Sequence, residues 1–339
     1  MKLKYNSTIV LAVVCVCAIF STGCSDADSD CKAAPEYPTV SEMQLQRLDD
    51  QIFAVESKED VQQLLRENPA FTKYFLESDQ YPSTDIIAAN LYGLSRNASI
   101  DTLRSEMKEV FGDFGALSIE LANAYSWLKE FDPDAGIPEV KVVLTGLAND
   151  LFVSDSVLII GADYFIGSTA TFRPLNTPHY ILKRYEKESI LPLIFSFVSN
   201  EYLEIDKKDN TLLADMINYG RSYYFTKQMM PCKPDKWIVG YDAEEMRLIN
   251  ANQEQIWAHF VDRELFYETN HFVKNKYTGE RPNVFEIGDQ CPGRIARWLG
   301  WEIVKAYMER NPTVTLEQLM QETDVQKILT GSKFKAKNQ

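Results

Sequence analysis

Histidine is scarce in this chain: three occur in 339 residues. His179, His259 and His271 are far apart, so the paired imidazoles of an H-E-x-x-H zinc-peptidase helix are absent. A close Cys-x-x-Cys pair and the acid spacing of an EF-hand are missing too, so no metal site is encoded locally. Nor is there a G-x-S-x-G elbow, a phosphate-cradling glycine loop or a dinucleotide fingerprint. Positive charge is also short. Lysine and arginine number 35 against 49 acids, for a formal charge of -14. With no basic stripe to displace counterions from phosphates, nucleic-acid binding is excluded as a function class. The apolar run Ile9 to Phe20 is too short to stay in a bilayer as a spanning helix. No internal repeat or low-complexity run is present.

What the N-terminus does contain is an export signal. Lys2 and Lys4 precede the apolar run, and Ser21-Thr22-Gly23 closes it with small residues before Cys24. The S-T-G-C pattern resembles the lipobox of bacterial lipoproteins, which implies a signal over 1–23 and a lipidated Cys24. Acyl chains contribute about 0.8 kcal/mol per buried methylene, so several of them anchor a protein without a transmembrane helix. The chain is therefore expected on a membrane of the cell envelope, at the periplasmic face or the outer surface. Residues 24–40 are polar, acidic and proline-bearing and read as a tether. The acids just after Cys24 resemble an export signal of some Bacteroidetes surface lipoproteins. One folded body is expected over 41–335, with a short tail at 336–339. Of the cysteines outside the signal, Cys31, Cys232 and Cys291 remain after lipidation, and Cys232 with Cys291 is the first candidate disulfide in an oxidising envelope.

Within the body, 45% hydrophobic and 12% aromatic content supports a large core. The segment from Asp60 to Leu76 reads as helical, divided at Pro69, and Asp101 suits an N-cap for the helix that follows. A helix is predicted over Ala116 to Phe131, ended by Asp132-Pro133-Asp134. Branched and aromatic residues over about 139–167 predict a small, mainly antiparallel sheet. From Pro178 the pattern is helical: Ile190 to Tyr202, Thr211 to Met229, and Asp242 to Phe266 as one helix or two. Residues 270–287 read as a long loop. The stretch Asp289 to Pro312 reads as a central packing helix with Pro292 in its first turn. Its stripe Gly293, Ala296, Gly300 allows another backbone to approach, and the expected neighbour is the 190–202 helix. The fold class is α+β, mostly α-helical.

Aromatic density marks the 219–225 segment, where Tyr219 and Tyr223 share a helix face at i, i+4 around Arg221. This face suits a groove as well as a core.

The ordered set IIGADYFIG (159–167), NYGRSYYFTKQMMP (218–231), NQEQIWAHFVDRELFY (252–267), PGRIARWLGWEIVKAYMERNP (292–312) and SKFK (332–335) resembles the gliding-motility lipoproteins of the GldB family. That family is similar in turn to zinc peptidases carrying an H-E-x-x-H helix, then a helix with E-G, then one resembling 292–312. The resemblance implies a zincin-like scaffold from which the metal motif is lost. The helix at 190–202 has no histidine, and Tyr219-Gly220 stands where E-G would. It further implies a non-catalytic component of Bacteroidetes gliding or secretion machinery without a cofactor, binding an envelope protein or peptide. On such a scaffold the candidate docking edge is the strand Val157 to Phe165, with Val157, Ile159 and Tyr164, beside Tyr219, Arg221 and Tyr223. Two alternatives stand beside it: a hydrolase with a dispersed site at His259 or His271, and a small-ligand binder at 219–225.

Overall fold

The computed structural model describes residues 31–175 and 177–336. The signal, Cys24 and the end of the tail lie outside them. Residues 33 onward form one compact unit, and of residues 1–32 only 31 and 32 are described.

The body opens with a short strand, β1 (Leu45–Arg47), and five helices: α1 (Leu48–Ala54), α2 (Lys58–Glu67), α3 (Thr84–Ser95), α4 (Ala98–Phe111) and α5 (Gly115–Phe131). The chain then lays down β2 (Glu139–Val143), β3 (Leu151–Val153) and β4 (Val157–Gly161). The rest is helical: α6 (His179–Leu182), α7 (Ile190–Val198), α8 (Leu212–Met229), α9 (Asp235–Val239), α10 (Ala243–Ala251), α11 (Gln253–Asp262), α12 (His271–Thr278), α13 (Ile295–Arg310), α14 (Leu316–Gln321) and α15 (Val325–Ser332).

Local signals account for most helix starts. Ser57 with Asp60 and Asp242 with Glu245 form capping boxes that satisfy two orphan N–H groups each, and the Thr211 hydroxyl accepts from Ala214 N–H at the start of α8. The cap of α4 is Asn97, with Asp101 inside the first turn, which corrects the expected N-cap. The expected loop at 270–287 also needs correction, because Asn270 caps a real helix, α12.

The sheet is mixed, in the order β1-β2-β4-β3, and two of its three pairings are parallel. The expectation of a mainly antiparallel sheet is thereby corrected. Only β3 and β4 form a hairpin. β1 reaches β2 through five intervening helices, a crossover long enough to return the chain in the same direction. β4 inserts between β2 and β3, so all five of its residues, VLIIG, are buried and show no alternation. Val140, Val142, Leu158 and Ile160 join the main core with α5, α7, α8 and α13. Val143, Val157 and Ile159 face a second cluster built from α1, α2 and α3.

The 292–312 stretch is central, but its neighbour is α8. A Cβ on Gly300 would lie 1.9 Å from the Met216 carbonyl oxygen, and one on Gly220 would lie 2.4 Å from the Gly300 carbonyl. The two helices cross backbone against backbone, and only glycine fits there. The small-residue stripe therefore does not pack on the 190–202 helix. Helix α13 begins at Ile295, after Arg294 in a left-handed turn (φ 63°), so Pro292 precedes the helix.

Candidate functional site

A cavity of about 650 Å³ opens between α7, α8, α9 and the start of α13. That is within the range of small-molecule and peptide sites, roughly 300–1,000 Å³. One wall is apolar and aromatic: Leu193 and Phe197 from α7, Tyr219 and Tyr223 from α8, and Trp237 from α9. Phe197 is 55% exposed, unusual for so large an apolar ring on a helix that is otherwise mostly buried. The polar residues that α7 and its flanking turns add are Ser189, Ser196 and Asn200, so α7 offers the cavity neither imidazole nor carboxylate.

The opposite wall is charged. Arg184 follows α6, Arg294 precedes α13, and Arg297 lies in its first turn. They converge on Glu280, with Arg184 Nη1 at 2.5 Å, Arg294 Nε at 3.5 Å and Arg297 Nη1 at 4.0 Å from its oxygens. Partial burial pushes the Glu280 carboxyl up, but Arg294, Arg184 and Arg297 outweigh it and hold the group below the ordinary glutamate range. Burial, with Arg294 alongside, brings the Arg184 guanidinium below its usual value. Arg294 Nη2 donates to the Gly240 carbonyl at 2.8 Å, and Arg297 Nε donates to the Thr278 carbonyl at 2.6 Å. The Arg297 guanidinium lies 4.3 Å from the Tyr219 ring centroid, so charge and aromatic wall meet there. The Tyr241 hydroxyl donates to the Gly293 carbonyl at 2.6 Å, fixing the segment that carries Arg294.

Tyr219 and Tyr223 thus line one cavity, as two residues a turn apart on α8. Arg221 does not join them. Its side chain is fully buried on the other side of the helix, where Nη1 donates to the carbonyls of Met320 and Glu322 and Nη2 to the Glu204 carbonyl and Asn218 Oδ1. Arg221 closes the C-terminal end of α14, where helix carbonyls lack partners of their own. The docking-edge expectation for Val157 and Ile159 is likewise corrected, because β4 is paired on both sides and these residues face the second core cluster. Tyr164 lies in the turn after β4, its ring centroid 5.4 Å from that of Tyr185, which does line the cavity.

The cysteine pairing also needs correction: Cys291 is a free thiol, while Cys232 and Cys31 are disulfide-bonded. His259 is hydrogen-bonded to the Tyr277 hydroxyl at 3.0 Å, and neither it nor His271 is among the cavity residues. Among the described residues, no three His, Cys, Asp or Glu side chains gather as metal ligands. The three arginines escaped sequence reasoning because they are spread over 184–297. The one local signal was Arg294 directly after Gly293.

The sequence profile of the family described as gliding motility protein GldB matches residues 30–336. The chain belongs to that family. Gliding motility is accordingly the process to which it relates, and the family's lipoprotein label agrees with association with the envelope. No helix among the described residues is long and apolar enough to cross a membrane. No curated protein and no solved structure matches the chain.

Proposed function

We propose that the chain is a non-catalytic lipoprotein of the envelope, anchored through Cys24, that holds an extended segment of a partner protein of the gliding or secretion machinery in the cavity between α7, α8 and α13. The observation that carries this reading is the lining itself. A site of about 650 Å³ has an aromatic-apolar wall meeting an arginine wall, and α7 carries no imidazole. The sequence resemblance to zinc peptidases supports the same reading: on it, α7 would correspond to the H-E-x-x-H helix and Tyr219-Gly220 on α8 to E-G, with neither motif kept. Leucine, serine and phenylalanine on α7, and tyrosine on α8, bind a segment without activating water. β4 has no free edge, so a bound segment does not add to that strand; recognition rests on side chains in the cavity, beside the edge strand β3, whose Leu151 is part of the lining.

A photo-crosslinking residue placed at Phe197 in the membrane-anchored chain tests this in the cell. A discrete protein adduct is expected, lost when Leu193→Arg fills the cavity. An adduct unaffected by Leu193→Arg, or none at all, contradicts the reading.

A further inference from the structure

The proposed function leaves open what chemical group the partner presents, and the arginine wall bears on that. In a protein of charge -14, three guanidiniums converge on one side of the cavity. Their internal partners do not use them up. A guanidinium carries five N–H donors. Arg184 Nε and Arg294 Nε are both buried without a hydrogen-bond acceptor. Arg294 is only 7% exposed, and its Nε has Glu280 Oε1 3.5 Å away in an ion pair short of a hydrogen bond, so this buried cation is only partly satisfied by the fold. The N-terminus of the 16-residue helix α13 begins beside Arg294 and adds its own partial positive charge.

The charge balance sets the charge of the anion that this wall can accept. Of the acids at the cavity, Asp215 is neutralised by Lys274 Nζ at 2.8 Å. Three guanidiniums then share the cavity lining with two carboxylates, Glu280 and Asp150, for a single positive charge over the lining. Asp150 already accepts the Tyr185 hydroxyl at 2.7 Å, and Glu280 is shared by all three arginines. One monoanion balances this wall, whereas a phosphate dianion would overfill it. A planar carboxylate also matches the guanidinium edge in two-point contact. Next to the wall, Arg297 stacks on Tyr219, and Phe197, Leu193 and Trp237 offer apolar surface.

We infer that Arg184, Arg294 and Arg297 form a carboxylate clamp, and that the segment bound in the cavity is a peptide whose free C-terminal carboxylate enters this clamp while its last side chain lies on the aromatic wall. The clamp rests on the reading of the cavity as a peptide site. Glu280 is its internal counter-ion: it holds the fork in place when the cavity is empty and competes with the ligand carboxylate when it is full.

Calorimetry on the detergent-solubilised full chain tests the clamp with N-acetyl-Ala-Phe as free acid and as C-terminal amide, and with inorganic phosphate. The acid is expected to bind saturably and the amide about tenfold or more weakly, the loss expected when a charge-assisted pair is removed. Arg297→Gln is expected to weaken the acid about tenfold and Arg297→Lys less, because lysine keeps the charge without the fork. Glu280→Gln is expected to tighten the acid by a few fold, since it removes the competing carboxylate. A residue that only braced the arginines would give the opposite sign. Equal binding of acid and amide, binding of neither, or phosphate displacing the acid at lower concentration overturns the clamp. The comparison of acid with amide on the parent chain needs no variant to fold. Persistence of the Phe197 adduct in cells alongside equal acid and amide binding would overturn the clamp and leave the partner-binding reading standing.

Discussion

At the scale of single residues, two buried charges divide structure from function. Arg221 stands between the two tyrosines in sequence, and the pattern placed it in the groove with them. Residues at i and i+2 point about 200° apart on a helix, so the same periodicity that groups Tyr219 with Tyr223 sends Arg221 to the far side. Its guanidinium holds carbonyls of α14 and of the 204 loop. Arg221→Met is expected to cost about 2–4 kcal/mol in a urea titration by leaving those carbonyls buried and unpaired, with little change in ligand binding by the folded fraction. Asp163 is the second case. Its carboxylate accepts from Thr145 N–H and Leu147 N–H, where Gly146 and Leu147 both have positive φ, yet burial, only partly offset by those bonds, pushes it up to about 6. The folded form thus binds its proton more tightly than the unfolded chain. This group's contribution to stability is largest at low pH and is lost as pH rises from about 4 through about 6. Asp163→Asn keeps an accepting oxygen without the charge. Its stability relative to the parent is expected to rise between pH 4 and pH 7, on the order of 2 kcal/mol, as read by melting at each pH.

At the scale of elements, the sequence showed which segments are regular and which face of each is apolar, but not what each face meets. The stripe Gly293, Ala296, Gly300 was legible as a close-packing surface because no other residue types serve there. Its neighbour was not, since the 190–202 helix is apolar nearly all round and fits any partner equally well. Gly220 on α8, facing Gly300, was the available clue. Strand positions were likewise legible from branched residues, while pairing direction depends on the crossover between β1 and β2, which no local pattern carries. The α8–α13 crossing makes a sharp prediction. Gly300→Ala must push the Met216 backbone aside and is expected to cost about 3 kcal/mol by urea denaturation. Gly93→Ala, in the interior of α3 with nothing within 4 Å, is expected to stabilise by up to about 1 kcal/mol.

At the scale of the whole molecule, scarce histidine, acidic charge and the lipobox-like leader already pointed away from metal chemistry and nucleic acid and toward the envelope. The collinear motifs pointed to the family that the profile match supports. The cavity was legible only in part. Its aromatic side was, because Tyr219 and Tyr223 lie one turn apart. Its charged side was not, because Arg184, Arg294 and Arg297 are brought together by tertiary packing alone. The cysteines were misread for a related reason: spacing says nothing about which thiols meet. Burial pushes the free Cys291 thiol up to about 12, so it is expected to resist a thiol reagent at pH 8 in the folded chain and to be labelled on unfolding, as mass spectrometry of its peptide reports.

The central claim is that the cavity between α7, α8 and α13 is where the chain does its work. Its most direct test is complementation of a deletion strain by the chain carrying Leu193→Arg. The account predicts a protein that reaches the envelope in normal amount and melts like its parent but does not restore gliding or secretion. Full restoration by that blocked cavity would contradict it.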